Sequence, residues 1–516
     1  MHDLILYNAN AVTMDPARPR AELVAVEDGR IAEVGGNDLL GTLKDRNTRV
    51  VDCGGLTLLP GFIDAHCHLH AYAESLVTLN FSPRQQIRSI ADIQTRIADF
   101  CGRVPPGTWV RGKGYDEFHL AEKRHPDRRD LDAVSPLHPV KLTHRSGHAH
   151  VLNSLALKIA GIGEETGDPP EGFMDRAPAT GLPTGVLYGF GKFLSSRIPP
   201  LGDVETERGA ASANEKLLSF GITSIYDASF ANGLEQWKRF ESWKTRGFLQ
   251  PRITMMTGLE AFLRRECDSC LTGLGSGELR LGGVKIIADE VTGILHPCRA
   301  ELNEAVSAIH AAGRQAAIHA IEEPVIEAAA GAIEAALEKD PRKDSRHRIE
   351  HCSVCRPTLL QRLAKSGIVV VTQPSFIYFS GDRYLQTVPA GQLEYLYPVK
   401  SMLDRGLRVG AGSDFPIAGP NPLVSICAAA TRRTEQGAAL PQQRISVTAA
   451  MALHTTGAAA AAFEEGVKGS LTPGKFADIV MLSENPLAVE PDTIKDIKVV
   501  MTVLGGRIVK DSRFEI

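Results

Sequence analysis

The sequence has little cysteine and no long apolar run. Its nine cysteines among 516 residues are scattered without the spacing of a disulfide framework, so we expect free thiols in a reducing compartment. No stretch approaches the roughly 18 apolar residues that a membrane-spanning helix needs. The N-terminal segment "MHDLILYNANAVTMDP" lacks a cationic start and a long apolar core, so we expect no signal peptide and a cytoplasmic location.

An excess of positive charge is also missing. The chain has 57 basic and 61 acidic residues and a formal net charge of -4, which argues against nucleic acid as a partner. Neither GxGxxG nor GxxxxGK[ST] follows an expected strand, so nucleotide binding is unsupported. No dense arginine cluster announces a phosphate or a dicarboxylate. We therefore expect a small-molecule substrate with a neutral organic substituent, no nucleic acid and no membrane partner.

The order of expected strands and helices predicts the fold class. The chain is longer than one average domain, and both of its ends read as short strands joined by turns, such as the Asp28-Gly29 turn. Between the ends, apolar runs such as "GITSIYDA", "GGVKIIADE" and "GIVVVTQP" alternate with segments of helical spacing such as "EEPVIEAAAGAIEAALEK". Alternating βα units of this length favour an α/β protein with a (β/α)8 TIM-type barrel over an open doubly wound sheet.

We predict three parts from this pattern. Residues 1–58 form the first part of a composite β-sandwich, and residues 465–516 form its second part. Residues 59–464 form the barrel, with an insertion around residues 100–210. Large exposed barrel helices would make a homodimer possible.

The segment "GFIDAHCHLH" places three histidines at the end of an apolar run. In a strand, residues two apart share a face, so His66 and His68 point the same way. Such a pair either chelates one metal ion or forms ordinary hydrogen bonds at the mouth of a loop, and the motif alone favours neither. The strand ends before His70, which we expect to support the site or to be exposed.

Polar residues of the kinds that bind metals close four later strands. They are Lys285, His319, His351 and Asp414. Because a barrel builds its active site from the carboxyl ends of several strands, these residues should converge with His66 and His68. Nitrogen and carboxylate donors suit Zn²⁺ or a similar divalent ion, with one position left open for water. The sequence therefore predicts one or two divalent metal ions.

The sequence resembles the amidohydrolase superfamily, in its branch of N-substituted formamide deformylase-like enzymes. The resemblance runs in order through nearly the whole chain, in the segments "LLPGFIDAHCH", "WVRGKGYDE", "HPDRRDLDAVSPLHPVKLTHRSGHAHVLNS", "GLPTGVL", "GITSIYDA", "GGVKIIAD", "AAIHA", "RIEHC", "YPVKSMLDRGLRVGAGSDFP", "TTGAAAAA" and "GSLTPGKFADIVML". It implies a metal-dependent hydrolase with a barrel and a composite sandwich. The ligand positions that it implies are His66, His68, Lys285, His319, His351 and Asp414.

Lys285 lies in a strongly apolar strand, where a charged ammonium is costly to bury. Desolvation lowers the pKa of such a lysine, and its neutral amine can react with CO₂. Relatives with a lysine at this position use the resulting carbamate as a bridge between two metal ions, which predicts carboxylated Lys285. The alternative is a lysine paired with a carboxylate such as Asp289 or Asp414.

One position departs from the family pattern. Where relatives commonly have Gly-Asp, this chain has Glu322 and Glu323 after "HAI". Glu322 resembles the proton-donating glutamate of single-metal deaminases on the same scaffold, which is the alternative function. A plain helix start favours negative charge as well and needs no catalytic role.

The expected reaction is hydrolysis of a C–N bond, in an amide or cyclic amide, by metal-activated hydroxide. Esters, lactones and carbamates are open to the same attack. Asp414 would accept the proton and return it to the leaving nitrogen, and His148 would stabilise the oxyanion unless it only braces its loop beside His150. We expect the substrate pocket to be lined or supported by Arg111, Tyr115, Asp116, His148, Tyr188 and Glu322, with His144 as a further candidate. A non-catalytic assembly protein is set aside, since every ligand position is retained.

Overall fold

The computed structural model describes residues 2–169, 172–268, 277–291, 294–440 and 442–513. The chain divides into two compact units. The larger comprises residues Met1–Leu69 and Asn214–Ile516, and the smaller comprises His70–Ala213. Two helices, Leu69–Leu76 and Asp203–Ser219, contain the points where the chain passes from one unit to the other.

The larger unit contains a sheet of eight strands in which every neighbouring pair is parallel. In chain order, which is also their spatial order, the strands are β1 (Phe62–Cys67), β2 (Ile222–Asp227), β3 (Arg252–Gly258), β4 (Leu279–Ile287), β5 (Ala316–Ala320), β6 (Arg348–His351), β7 (Val369–Thr372) and β8 (Arg408–Ala411). Just beyond β8, the amide of Asp414 donates to the carbonyl of His66 in β1 over 2.8 Å. The sheet therefore nearly closes on itself, which confirms the predicted TIM-type barrel.

Helices follow the barrel strands and bury their apolar faces against them. Val284 and Ile286 of β4 belong to the apolar cluster that includes Val325 and Ile333 of the helix Glu323–Lys339. Because side chains alternate along a strand, Lys285 between them points to the opposite face of the sheet. The helices of the larger unit are Leu40–Leu43, Leu234–Thr245, Leu259–Leu263, Arg299–Ala311, Glu323–Lys339, Pro357–Lys365, Ser375–Thr387, Ala390–Leu393, Val399–Asp404, Pro422–Thr431, Val447–Leu453 and Thr456–Ala461.

Two further sheets of the larger unit use strands from both chain ends. One has four strands in the order Arg30–Gly35, Leu23–Glu27, Leu4–Tyr7 and Arg49–Asp52. The other has six strands in the order Arg507–Asp511, Val499–Leu504, Ile479–Leu482, Thr57–Pro60, Asn10–Val12 and Arg20–Ala21. Residues of both sheets, such as Leu6 and Ile479, share one buried apolar cluster. The Asp28-Gly29 turn joins its two strands with φ of 50° and 74°, as a type I′ hairpin requires. A short antiparallel pair, Asp289–Val291 and Ile294–His296, follows β4.

The smaller unit is built on one mixed sheet. Its six strands lie in the order Phe173–Arg176, Pro183–Tyr188, Ala149–Leu152, Val140–His144, Val110–Tyr115 and Leu79–Asn80. Val110, Leu142 and Val151 pack into an apolar cluster with Ile93 and Ile97 of a helix that Ser89 caps. The helices of this unit are Ile90–Cys101, Arg128–Asp132, Ser154–Ile159 and Gly191–Ser195.

The structure also describes the cysteines and the alanine-rich segment near residue 460. Every cysteine within the described ranges is a free thiol, and Cys352 and Cys355 are buried in the loop between β6 and the helix beginning at Pro357. The alanine-rich segment near residue 460 is helical only as far as Ala461, since Phe463 adopts a left-handed φ of 60°. Among the described helices, none combines the length and the apolar character needed to cross a bilayer.

Candidate metal centre

The six predicted ligand residues all lie at or near the carboxyl ends of barrel strands. His66 and Lys285 are within β1 and β4, and His68 directly follows β1. His319 is in β5, His351 is the last residue of β6, and Asp414 follows β8 by three residues. The barrel therefore brings residues from the first strand to the last to one end of the sheet, as the sequence predicts.

Distances show that five of these side chains form one cluster, and Lys285 interacts electrostatically with His66 and Asp414 within it. Oδ1 of Asp414 lies 3.0 Å from Nε2 of His68 and 3.6 Å from Nε2 of His66. The ring of His351 lies 4.8 Å from that of His66 and 4.3 Å from that of His319, between centroids. One ligand atom each from His66, His351 and Asp414 fall within 4.8 Å of one another. A single cation could contact all three.

Three buried donor atoms of this cluster make no hydrogen bond within the described part of the chain. They are Nε2 of His66, Nε2 of His351 and Nζ of Lys285, whose side chains are 3% exposed or less. Buried polar atoms in proteins nearly always have a partner, because an unsatisfied one costs about 1–3 kcal/mol. Two imidazole nitrogens and an amine, together with the carboxylate of Asp414, form a donor set that fits a divalent cation.

The electrostatics of the cluster favour the protonation states that bind metals. Burial lowers the pKa of His66 and His351, so both imidazoles are neutral at pH 7. Burial also lowers the pKa of Lys285 to about 8, which places a fraction of neutral amine within reach at physiological pH. For Asp414 burial alone would raise the pKa, but the hydrogen bond from His68 and the nearby imidazoles hold it well below its usual range. Asp414 is therefore an ionised carboxylate.

A second layer of buried side chains orients the histidines, and the sequence reading missed it. Nδ1 of His66 lies 2.5 Å from Oε2 of Glu350, which also accepts hydrogen bonds from the Arg348 guanidinium. Nδ1 of His351 lies 2.8 Å from Oε1 of Gln373. Carboxylate and amide partners of this kind fix the ring and its tautomer, leaving Nε2 for a metal. The available signal was "RIEH", in which two charged residues occupy one face of an apolar strand.

The backbone at the site is strained at two of the predicted ligands. His351 has a φ of 74° and Asp414 a φ of 59°, in the left-handed region that residues other than glycine seldom adopt. Such conformations cost about 1–3 kcal/mol each and cluster at functional sites. Gly412 adds a close approach, because a Cβ atom there would lie 2.4 Å from the backbone nitrogen of His66. The chain after β8 thus passes directly against β1.

Glu322 is the residue before the helix Glu323–Lys339 and occupies its N-cap position without a side-chain capping bond. The residue is exposed at the surface, and desolvation by its surroundings nevertheless raises the pKa of its carboxyl. A raised pKa suits a group that carries a proton, and a helix N-terminus also suits negative charge. Both interpretations of Glu322 from the sequence thus retain a physical basis.

The remaining predicted pocket residues all belong to the smaller unit. Tyr115 is fully buried, and its hydroxyl lies 2.8 Å from Nδ1 of His125, so its contacts are those of a supporting residue. Tyr188 stacks on Phe173 at 4.6 Å and meets the His125 ring edge-on at 5.6 Å. His148 is exposed, and its amide donates to Oγ of Ser146 over 3.3 Å. Arg111 donates to the carbonyl of Pro199.

Asp116 and His144 lie together with a residue that the sequence reading did not select, Glu117. Nε2 of His144 is 2.8 Å from Oε2 of Glu117 and 3.9 Å from Oδ1 of Asp116. Burial opposes charge on His144, but the two carboxylates raise its pKa overall. The hydrogen bond from His144 is the main cause that lowers the pKa of Glu117 to about 2. These residues form an internal ion-pair cluster of the smaller unit.

Comparison with known proteins now identifies the family. The sequence matches the amidohydrolase family over residues 49–510. The chain belongs to the amidohydrolase family. It is therefore a hydrolase that acts on carbon–nitrogen bonds, and the family resemblance stated from the sequence is confirmed.

Two curated relatives match the amidohydrolase along nearly its whole length. An N-substituted formamide deformylase of Arthrobacter pascens is 29% identical and covers 98% of this chain and 98% of its own. A putative amidohydrolase, YtcJ, of Bacillus subtilis is 27% identical and covers 96% of this chain and 97% of its own. Among solved structures, an uncharacterised metal-dependent hydrolase from Pyrococcus horikoshii has a TM-score of 0.76 at 21% identity, over 95% of this chain and 99% of that one. That last likeness bears on the fold alone.

Proposed function

We propose that this amidohydrolase cleaves the C–N bond of an amide or cyclic amide in a small organic molecule, with the cluster at the barrel end as its active site. The observation that carries the proposal is the set of buried, unsatisfied donors, Nε2 of His66, Nε2 of His351 and Nζ of Lys285, beside ionised Asp414. A purely structural cluster would leave about three desolvation costs uncompensated. A divalent cation would offset them.

Zn²⁺ is the ion that the donor set suits best, because imidazole and carboxylate ligands predominate. The residues that would hold one or two such ions are His66, His68, Lys285, His319, His351 and Asp414. When bound there, the ion supplies Lewis acidity, which lowers the pKa of water and polarises a substrate carbonyl. Glu350 and Gln373 would keep the rings of His66 and His351 in the required orientation.

Asp414 would move the proton in this reaction. Its carboxylate faces the imidazoles of His66 and His68, and its low pKa keeps it free to accept a proton from the attacking water. It would then return that proton to the leaving nitrogen, which departs as an amine. For His148 we retain the role of oxyanion donor, and for Arg111, Tyr115, Asp116, Tyr188 and Glu322 the role of lining or supporting the pocket.

Carboxylation of Lys285 is the form of the site that we favour. Within the described chain its Nζ has no hydrogen-bond partner, so the paired lysine considered from the sequence gains no support from the geometry. A carbamate would form when the neutral amine adds to CO₂ with loss of one proton, and it would offer two oxygens as metal ligands. Supplying ¹³C-bicarbonate to the zinc-loaded enzyme should produce a carbamate signal by ¹³C NMR that is absent from Lys285→Met. A wild-type spectrum without that signal would refute carboxylation.

The test of the function is a substrate screen with metal control. N-substituted formamides come first, since one relative is named as a deformylase of that class, followed by N-acyl amides and cyclic amides. We expect turnover of at least one class, loss of turnover after chelation, and recovery with Zn²⁺. His351→Ala is the matched inactive variant, and His296→Ala, at an exposed position, is the control. Turnover that survives complete removal of metal would contradict the proposal.

Deamination of an aminated heterocycle by a single-metal site is the second candidate. The raised pKa of the Glu322 carboxyl favours it, because a deaminase needs a protonated group there. The two functions differ in their products. Release of ammonia, together with one bound ion and a free Lys285 amine, would support the deaminase. An amine and a carboxylic acid as products would support the amidase.

Other expectations from the sequence remain proposals. They are the division into 1–58, 59–464 with an insertion around 100–210, and 465–516, the pairing of the terminal parts as a sandwich, a cytoplasmic location and a homodimer. The six-stranded sheet that joins Ile479–Leu482 to Thr57–Pro60 supports a sandwich built from both ends. Size-exclusion chromatography with light scattering tests the dimer.

A further inference from the structure

The sheet of the smaller unit has one apolar face and one cationic face. Val110, Leu142 and Val151 pack into the apolar cluster on the first face. Arg111 and Lys113, two apart on one strand, and Lys141, which pairs with Arg111 on the next, therefore point to the second face. Side chains on adjacent strands in register lie about 5 Å apart at Cβ, so three positive charges are gathered there. We call Arg111, Lys113 and Lys141 the cationic face.

Too few negative charges balance the cationic face. In the described part of the chain, the carboxylate found within 4.0 Å of any of these cations is Glu74, whose Oε2 lies 2.9 Å from Nζ of Lys113. Arg111 is held by the carbonyl of Pro199 and not by a carboxylate. For Lys141 the described residues offer neither a hydrogen-bond acceptor nor an ion-pair partner. Glu74 acts on all three cations and Glu205 on Arg111, so the half-buried ammonium of Lys141 is only partly balanced, which is costly.

A buried imidazole with a free nitrogen lies on the same side of the sheet. His150 pairs in register with Thr143, and the Thr143 hydroxyl lies 3.3 Å from Nδ1 of His150. His150 is 5% exposed, and within the described ranges its Nε2 has no hydrogen-bond partner. With the hydroxyl donating to Nδ1, Nε2 carries the imidazole proton and can donate it to a ligand.

The electrostatics agree with this geometry. Burial, followed by the charges of Lys113 and Arg111, lowers the pKa of Lys141 to about 8 against the opposing charge of Glu74. Burial, followed by the charges of Lys141 and Lys113, holds the pKa of His150 well below its usual range. The positive potential at the cationic face therefore destabilises the charged forms of Lys141 and His150, and a bound anion would relieve this cost.

We infer that the cationic face, together with His150 and Thr143, binds a small oxyanion, that is, a carboxylate or phosphate group. Lys141 would supply the main charge and Nε2 of His150 a hydrogen bond. The sequence does not reveal this site, because its cations are spread over separate strands and include two lysines, so they form no arginine cluster along the chain. The oxyanion is a small free anion that carries a carboxylate or phosphate group.

Binding is tested directly on the full-length protein, without turnover. Inorganic phosphate and succinate are titrated while the melting temperature is followed, with sodium chloride at equal ionic strength as the reference. We expect both anions to raise the melting temperature of the wild type with saturation. Lys141→Met should melt higher than the wild type without anion and should lose the increment, because the unpaired charge is gone. Lys158→Met, an exposed lysine of the same unit, should keep it.

A second variant guards against a trivial loss of folding. Glu74→Gln removes a negative charge from beside Lys113, so it should tighten anion binding by about tenfold, which is the scale of one charge contact at short range. A wild type whose melting temperature responds to phosphate and succinate no more than to chloride would overturn the inference. So would an increment that persists unchanged in Lys141→Met.

Discussion

Nδ1 of His66 lies 2.5 Å from Oε2 of Glu350, and both side chains are completely buried. Glu350 in turn receives two hydrogen bonds from the guanidinium of Arg348, at 2.7 and 2.9 Å. The arginine balances the charge of the carboxylate and fixes it, so the His66 ring can turn in only one way. The ring of His66 is consequently held with its Nε2 atom directed toward the proposed cation site before any ion binds.

Replacing Glu350 with glutamine should loosen that presentation. Losing an outer carboxylate of this kind typically weakens metal binding about 10–100-fold, which we expect for zinc in competition with a chelating dye. Glu334→Gln, at a partly exposed carboxylate that pairs with Arg362, should leave the zinc affinity unchanged. Equal affinity in wild type and Glu350→Gln would show that His66 does not depend on this contact.

Asp414→Asn should remove the proton acceptor while keeping the shape of the side chain. General acid–base groups contribute about 10²–10⁴-fold, so kcat should fall at least about 100-fold. Zinc content is measured on the same preparation, because Asp414 is also a proposed ligand. Asp404→Asn, an exposed carboxylate paired with Lys400, serves as the control. Near wild-type kcat in Asp414→Asn would remove the proton transfer from the mechanism.

Gly412→Ala should distort the site through the backbone. The added Cβ would come within 2.4 Å of the nitrogen and 2.7 Å of the Cβ of His66, so β1 must shift. Overpacking of this kind costs about 1–3 kcal/mol, which urea denaturation should report together with lower zinc affinity. At Gly391 a Cβ would meet nothing within 4 Å, and Gly391→Ala should change neither quantity. A stable, fully active Gly412→Ala would contradict the close approach.

His454→Leu should make the protein less sensitive to acid. Burial lowers the pKa of His454 to about 4, and among the described residues neither ring nitrogen has a hydrogen-bond partner. Below pH 6.5 the unfolded chain binds a proton there that the folded chain refuses until about pH 4, so wild-type stability falls as the pH falls through that window. At pH 5 the difference amounts to about 2 kcal/mol.

We therefore expect the variant to gain stability relative to the wild type between pH 7.5 and pH 5, in urea denaturation of metal-free protein. His296→Leu, at an exposed histidine, should show no comparable gain. If the difference in unfolding free energy between His454→Leu and wild type is the same at both pH values, His454 does not titrate as its burial indicates.

The barrel was predictable because its signals are local and repeated. Each apolar run that alternated with a helical segment is a strand of the sheet, and the helix expected in "EEPVIEAAAGAIEAALEK" begins at Glu323 and ends at Lys339. The alanine-rich segment near residue 460 is a short helix that ends at Ala461, and alanine content alone does not reveal the left-handed turn at Phe463. The similar composition of the two chain ends indicated that their strands share a sheet, but it did not indicate the order of the strands within that sheet.

The candidate site was only partly predictable. Residues such as His351 and Asp414 close apolar strands, and barrel geometry requires strand ends to meet. The orienting side chains of Glu350 and Gln373 carry no such mark, because a buried polar residue near a strand end has many possible partners. The cations Lys113 and Lys141 were missed for a related reason. Their proximity depends on the register of two strands, which no local pattern specifies.

The hydrogen bond from the amide of Asp414 to the carbonyl of His66 joins the last strand of the barrel to the first. The candidate metal centre therefore lies where the first strand of the barrel meets the segment after the last strand. In a folding intermediate in which these two strands have not yet met, the ligand residues would be far apart and would bind zinc weakly. Zinc retention would then show that the barrel has closed, and loss of zinc would weaken the contact between its first and last strands.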